Sequence, residues 1–235
     1  MDLKNKTVLI TGGTGALGQV VAERFLAEGA KVASSYLFED ELKRLSESFR
    51  KNVAVVRADV SEDEDVAALF KQVEMKHGNV DILINIVGGF LPKTSIAETK
   101  TKDWEHMMTM NLKSVFLCSR AFLQQIGSSS YGRIISMAAM PALKPGAGRG
   151  AYSVSKAGVV TLTQVLGEEL RGTGITANAI APSVIKTSAN ISSMPDEDAS
   201  KWVTPEEIAE TILFLCSESG KSINGVCIPV FGGIS

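Results

Sequence analysis

Tyr152 and Lys156 are the residues of this sequence best suited to proton chemistry. They lie four positions apart in Ala151 to Arg171, where the apolar spacing predicts a long helix. That spacing puts both side chains on one helix face, one turn apart. An ammonium beside a phenol favours the phenolate and lowers the phenol pKa, which makes tyrosine a usable acid or base near neutral pH. Taken alone, the pair reads more readily as two exposed helical side chains. Its context favours chemistry, because the helix follows a strand end in a chain whose first unit is built to hold phosphate.

That first unit is Thr7 to Ala30, TVLITGGTGALGQVVAERFLAEGA. Val8, Leu9 and Ile10 form a short apolar run, as in a strand buried on both faces. Gly12, Gly13, Gly15 and Gly18 follow, and then Leu17, Val20, Val21, Phe25 and Leu26 repeat at helical spacing up to Gly29. Strand, glycine turn and helix in this order suit close backbone approach to a pyrophosphate at the helix N-terminus. A tight turn without a ligand has the same local pattern. The expected reading is a dinucleotide site, with Lys156 reaching the nicotinamide ribose.

The chain has 235 residues, 45% of them hydrophobic, and a formal net charge of −2. This suits one α/β domain, 1–235, and argues against nucleic acid or a membrane surface as partner. Cys118, Cys216 and Cys227 have no metal-like spacing, and His77 and His106 are the only histidines, so no metal site is expected. The cysteines read as buried thiols of a reducing compartment. MDLKNK runs straight into the first strand, leaving no room for a signal peptide, and a cytoplasmic location is expected.

Strand and helix patterns alternate along the chain. Further strands are predicted at Val32 to Ser35, Val53 to Arg57, Ile82 to Ile86, Arg133 to Met137, Ile175 to Ile180 and Val226 to Val230. Helices are predicted at Glu39 to Phe49, from an N-cap at Ser61 to about His77, at Asp103 to Ile126, at Ala151 to Arg171 and at Glu206 to Cys216. The fold class is therefore a doubly wound Rossmann-type α/β sandwich, with a mostly parallel seven-stranded sheet and helices on both faces. Thr187 to Thr204, polar and irregular, is a candidate lid.

A ligand of such a sheet lies outside the carboxyl ends of its strands. The residues expected to touch a dinucleotide are Gly12, Thr14, Gly15, Ala16, Leu17 and Gly18, then Ser35, Tyr36, Asp59 and Val60. Asn85, Val87 and Gly88 follow, with Pro182, Val184, Ile185 and Thr187. An acid after the second strand would hold the adenosine ribose of NAD, yet Ser34-Ser35-Tyr36-Leu37 contains none before Glu39. Ser35 and Tyr36 could instead meet a 2′-phosphate, so NADP is favoured over NAD; Tyr36 reads equally as a packing residue.

The chain resembles the short-chain dehydrogenase/reductase family over nearly its whole length. The motifs that carry the likeness are Thr11-Gly12-Gly13-Thr14-Gly15-Ala16-Leu17-Gly18, Asp59-Val60, Asn85 with Gly88, Met110-Asn111-Leu112, Tyr152-Ser153-Val154-Ser155-Lys156 and Asn178-Ala179-Ile180-Ala181-Pro182. The resemblance implies NAD(P)-dependent hydride transfer to a small-molecule substrate. Tyr152 would be the proton donor, Lys156 would tune it and hold the ribose, and Asn111 would support a water relay. Asp59 and Val60 would flank the adenine, and Thr187 the carboxamide or phosphates. Asn111 reads equally as a helix-kinking residue bonded to its own backbone. The two long helices usually pair across a two-fold axis in this family, which implies a homodimer or homotetramer.

Three positions depart from the family pattern. Ala139 stands where the family has its catalytic serine, Asn85-Ile86-Val87-Gly88 replaces the usual NNAG, and Ser183 follows the proline in place of glycine. Losing one carbonyl donor costs about 10²- to 10³-fold in other enzymes. Ser136, three residues upstream inside a strand, should point elsewhere. A dihydropteridine reductase-like branch also has alanine there; its substrate is a quinonoid pterin. Val87-Gly88-Gly89-Phe90, Pro145-Gly146 and Ser193-Met194-Pro195 leading to Trp202 echo it. Phe90 and Trp202 could stack on a flat ring or simply pack. The alternatives are a 3-oxoacyl or ketone reductase that tolerates Ala139, and a silent dinucleotide-binding sensor or scaffold.

Overall fold

In the computed structural model, which describes residues 3–234, the strands are β1 (Thr7–Thr11), β2 (Lys31–Tyr36), β3 (Val53–Arg57), β4 (Ile82–Asn85), β5 (Gly132–Met137), β6 (Ile175–Pro182) and β7 (Cys227–Val230). They form one sheet in the order β3-β2-β1-β4-β5-β6-β7, with every pairing parallel. The order reverses between β1 and β4. The diverging loops leave a crevice there, outside the carboxyl ends of the strands.

The helices are α1 (Ala16–Ala27), α2 (Glu39–Lys43), α3 (Glu47–Asn52), α4 (Asp63–His77), α5 (Thr101–Met108) and α6 (Ser114–Ile126). They continue with α7 (Met140–Leu143), α8 (Gly150–Glu169), α9 (Ser188–Ser193) and α10 (Pro205–Cys216). Strand side chains alternate between the two faces. Val8, Ile10, Ile82 and Ile84 pack with Phe25 of α1 and Ile212 of α10. Leu9, Leu83 and Ile134 pack on the other face, with Leu69 of α4, Phe122 of α6 and Leu166 of α8. Phe25 and Phe122 are fully buried, each contributing about 1.5–3 kcal/mol of transfer free energy. Gly18 lets α1 sit directly on the preceding turn, because a Cβ there would collide with the Gly12 carbonyl and the Gly13 backbone.

Several boundaries differ from the sequence reading. The helix expected over Glu39 to Phe49 is two short ones. Leu45 turns into the core, and the Ser46 hydroxyl accepts a hydrogen bond from Phe49 N at 3.1 Å, restarting the helix. Ser61 is not an N-cap: its hydroxyl donates to Asp59 Oδ1 at 2.7 Å, and α4 starts after Glu62. The helix expected over Asp103 to Ile126 contains a π-helical turn, Thr109–Lys113, between α5 and α6. The segment 187–204 is partly ordered, holding α9 and a single turn at Ala199–Lys201. Its ends are tied by Lys186 N to Val203 O at 2.7 Å and Val203 N to Val184 O at 3.1 Å. Cys118 and Cys216 are buried and Cys227 half-buried. No helix among the described residues is long and apolar enough to cross a membrane.

Candidate active site

The crevice has a volume of about 760 Å³. Gly12, Gly15, Ala16, Leu17 and Gly18 of the first turn line it, with Ser35, Tyr36, Asp59 and Val60 from the ends of β2 and β3. Val87 and Gly88 after β4, Tyr152 and Lys156 of α8, Pro182 at the end of β6, and Val184, Ile185 and Thr187 beyond it complete its predicted lining. Ala139 also lines it and offers no side-chain donor.

Three expected residues stand behind the surface. Thr14 donates its hydroxyl to a Glu41 carboxylate oxygen. Asn85 is buried in β4 opposite Ser136 of β5, to which its Nδ2 donates at 3.2 Å; that contact also turns Ser136 away from the crevice, as expected. Asn111, fully buried in the π turn, clamps Gly89. Its Oδ1 accepts from Gly89 N at 2.9 Å, and its Nδ2 donates to Gly89 O at 3.0 Å and to Ser155 Oγ at 3.0 Å. The π turn thus aims Asn111 at neighbouring elements and not at its own helix backbone, although its Nδ2 also meets Met107 Sδ at 3.6 Å. Such turns often mark functional sites.

Lys156 is buried, and its Nζ donates to Met137 O at 2.7 Å, at the end of β5. Gly88 is required for this reach, because a Cβ would lie 2.9 Å from Lys156 Nζ and 2.8 Å from Asn111 Oδ1. Burial pushes the Lys156 ammonium down to about 8. Burial also pushes the Tyr152 phenol above its ordinary value, and the Arg149 guanidinium pulls it partly back. The expected acidification of Tyr152 by Lys156 is therefore corrected. The lysine is engaged with the strand end, desolvation of the phenol dominates, and the cation that favours phenolate is Arg149. A phenol held neutral is a proton donor at neutral pH.

The expectation of an acid-free β2 end is also corrected. Glu41, in α2, lines the crevice, and its Oε1 accepts from Leu37 N at 3.0 Å and Phe38 N at 2.8 Å. Burial opposes its charge, but hydrogen bonds from Thr14, Phe38 and Leu37 hold its carboxyl below the ordinary range. Ser35 Oγ accepts from Gly12 N at 3.2 Å, and Tyr36 donates to Glu39 at 3.1 Å, so neither hydroxyl is reserved for a phosphate. The spacing Phe38-x-x-Glu41, half of a capping box, was the signal for Glu41 in the sequence.

Around Tyr152, Phe90 stands edge-on with ring centroids 6.5 Å apart. Trp202, expected as a possible stacking wall, is buried outside the crevice lining. Thr187 lines the crevice, but its hydroxyl caps α9 by accepting from Asn190 N at 3.2 Å. Ser183 ties the β6 end to the C-terminal segment, donating to Phe231 O at 2.8 Å. Lys144 and Arg149, not foreseen in the sequence, line the crevice near Tyr152. Arg149 lies three residues before the tyrosine, a spacing that could have found it.

A family described as "Enoyl-(Acyl carrier protein) reductase" matches residues 13–235. A Picea abies short-chain type dehydrogenase/reductase is 31% identical, over 98% of this chain and 93% of its own length. The Thauera aromatica (2S)-[(R)-hydroxy(phenyl)methyl]succinyl-CoA dehydrogenase subunit BbsD is 33% identical, over 100% of this chain and 98% of its own. A solved mutant of a Serratia marcescens short-chain dehydrogenase/reductase superposes with a TM-score of 0.89 at 25% identity, covering 99% of each chain. Sheet order, glycine turn and these likenesses agree: the chain belongs to the short-chain dehydrogenase/reductase family of oxidoreductases.

Proposed function

We propose that this protein is a nicotinamide dinucleotide-dependent reductase of small carbonyl compounds, with Tyr152 as the proton donor. The observation that carries the reading is a half-buried phenol, Tyr152, set one helical turn from buried Lys156 on the wall of a crevice that spans the strand ends. The residues fit a dinucleotide. The glycine turn leads into the N-terminus of α1, where free N–H groups suit a pyrophosphate. Asp59, Val60 and Lys156 line the crevice, where Asp59 and Val60 would flank an adenine and Lys156 would hold a nicotinamide ribose. When bound, the nicotinamide supplies or accepts the hydride. Tyr152 delivers the proton to the carbonyl oxygen, and Lys156 fixes the floor beneath it through Met137 O. Asn111 holds the Gly89 backbone so that Gly88 stays clear of Lys156.

Glu41 favours NAD(H) over the NADP that the sequence alone suggests. A charged carboxylate at the β2 end accepts ribose hydroxyls and repels a 2′-phosphate. The pterin reading has no support in the relatives reported above, and a ketone or oxoacyl compound is the substrate class we favour. A homodimer or homotetramer is supported by Phe116 on α6 and by Val154 and Val165 on α8, apolar side chains left exposed.

A carbonyl panel with NADH, followed by nicotinamide absorbance, tests the function. Tyr152→Phe should lower turnover at least about 100-fold on any substrate found. Undiminished turnover in that variant would exclude Tyr152 as the acid.

A further inference from the structure

The ionisable groups of the crevice are segregated along its length. Its carboxylates, Glu41 and Asp59, stand at the β2 and β3 ends. Its exposed cations, Lys144 and Arg149, stand in the segment between β5 and α8, on the opposite side of the β1/β4 divide. Neither cation is paired with a carboxylate among the described residues. Lys144 Nζ lies over the Phe231 ring at 5.3 Å from its centroid. Phe90, Met140, Pro141 and Met194 add apolar lining from the segments after β4, β5 and β6. Two cations without counter-charges, placed at one end of an apolar cleft, are an arrangement for holding an anion.

Both cations sit on fixed backbone. Lys144 follows α7, its N bonded to Met140 O at 2.8 Å. Arg149 is the N-cap of α8; its carbonyl accepts from Ser153 N at 2.8 Å, and the neighbouring Gly148 O accepts from Thr94 N at 2.8 Å. Arg149 is also the cation that lowers the Tyr152 pKa, so its charge is felt at the phenol. Ala139 sharpens the need for such an anchor. A carbonyl at this site receives no side-chain hydrogen bond from position 139, so a contact elsewhere in the substrate helps to set its orientation. A charged group held at a distance from the reacting centre does this, because remote binding fixes the geometry of the reacting atoms.

We infer that the substrate is a carbonyl compound bearing its own carboxylate or phosphate, held by Arg149 and Lys144 while its carbonyl faces Tyr152. This inference rests on the reductase reading and adds the substrate class. The test uses matched pairs: acetoacetate and levulinate, each against its methyl ester, and dihydroxyacetone phosphate against dihydroxyacetone. Each is titrated calorimetrically into the full chain with and without NAD⁺, where no hydride is available and binding alone is read. At least one anion should bind about tenfold or more tightly than its neutral partner, as expected of charge-assisted hydrogen bonds. The pair that does so separates carboxylate from phosphate. Arg149→Met and Lys144→Met, both at exposed positions, should each reduce that ratio several-fold, and the double variant should bring it close to one. Unfolding temperatures of the variants check that the fold is kept. Equal binding of anion and neutral partner in all three pairs, or a ratio that survives loss of both cations, overturns the inference. The same pairs with NADH read the reductase function separately: selective anion binding with no turnover would leave the anion site standing and remove the reductase.

Discussion

Tyr152 and Lys156 share one face of α8 but answer to different neighbours. The lysine is drawn to the end of β5, whereas the phenol faces Phe90 and senses Arg149. Their spacing was legible in the sequence, because i and i+4 fix the face. The sign of the phenol shift was not, because desolvation depends on what the fold packs around the ring. Glu41 makes the same point. It stands five residues past Tyr36, too far along the chain to be read as the acid of β2, and α2 folds it back to Thr14. We predict that NADH raises the unfolding temperature more than NADPH at equal concentration, and that Glu41→Ala narrows or reverses the difference. A larger shift with NADPH in the unaltered protein would contradict the role of Glu41.

Regular secondary structure was read well wherever apolar periodicity was long. β3 has the boundaries expected, and the other strands end within a few residues of them. The breaks were missed where side chains, not periodicity, decide. Ser46 restarts a helix, and the π turn Thr109–Lys113 departs from a regular pattern to bury Asn111. That turn couples three elements, because Asn111 joins α5–α6 to the loop after β4 and to Ser155 of α8. Its loss leaves the Gly89 N–H and carbonyl without these partners. Asn111→Ala should therefore cost about 1–3 kcal/mol of stability, measured by denaturant unfolding. Turnover should fall by more than the change in folded fraction, because Gly88 and Lys156 lose their fixed separation. Unchanged stability would mean that the clamp is dispensable.

The sheet order follows from the chain's alternation of strand and helix, and it puts the crevice where the order reverses. What could not be read was which residues face that crevice and which stand behind it. Asn85 belongs to the motif by position, yet strand alternation turns it towards Ser136. Of the apolar side chains left exposed, Trp104, Phe116, Val154 and Val165 lie on the two helices expected to pair. Light scattering should give a dimer or tetramer, and Phe116→Glu with Val165→Glu should shift it towards monomer. A monomer in the unaltered protein would remove the proposed pairing. The most direct measurement is a crystal structure of the protein with NAD⁺. The account predicts the pyrophosphate on the Gly12–Gly18 turn and the nicotinamide ring beside the Tyr152 hydroxyl, with a carbonyl-sized space between them. A dinucleotide bound elsewhere, or a ring directed away from Tyr152, would contradict it.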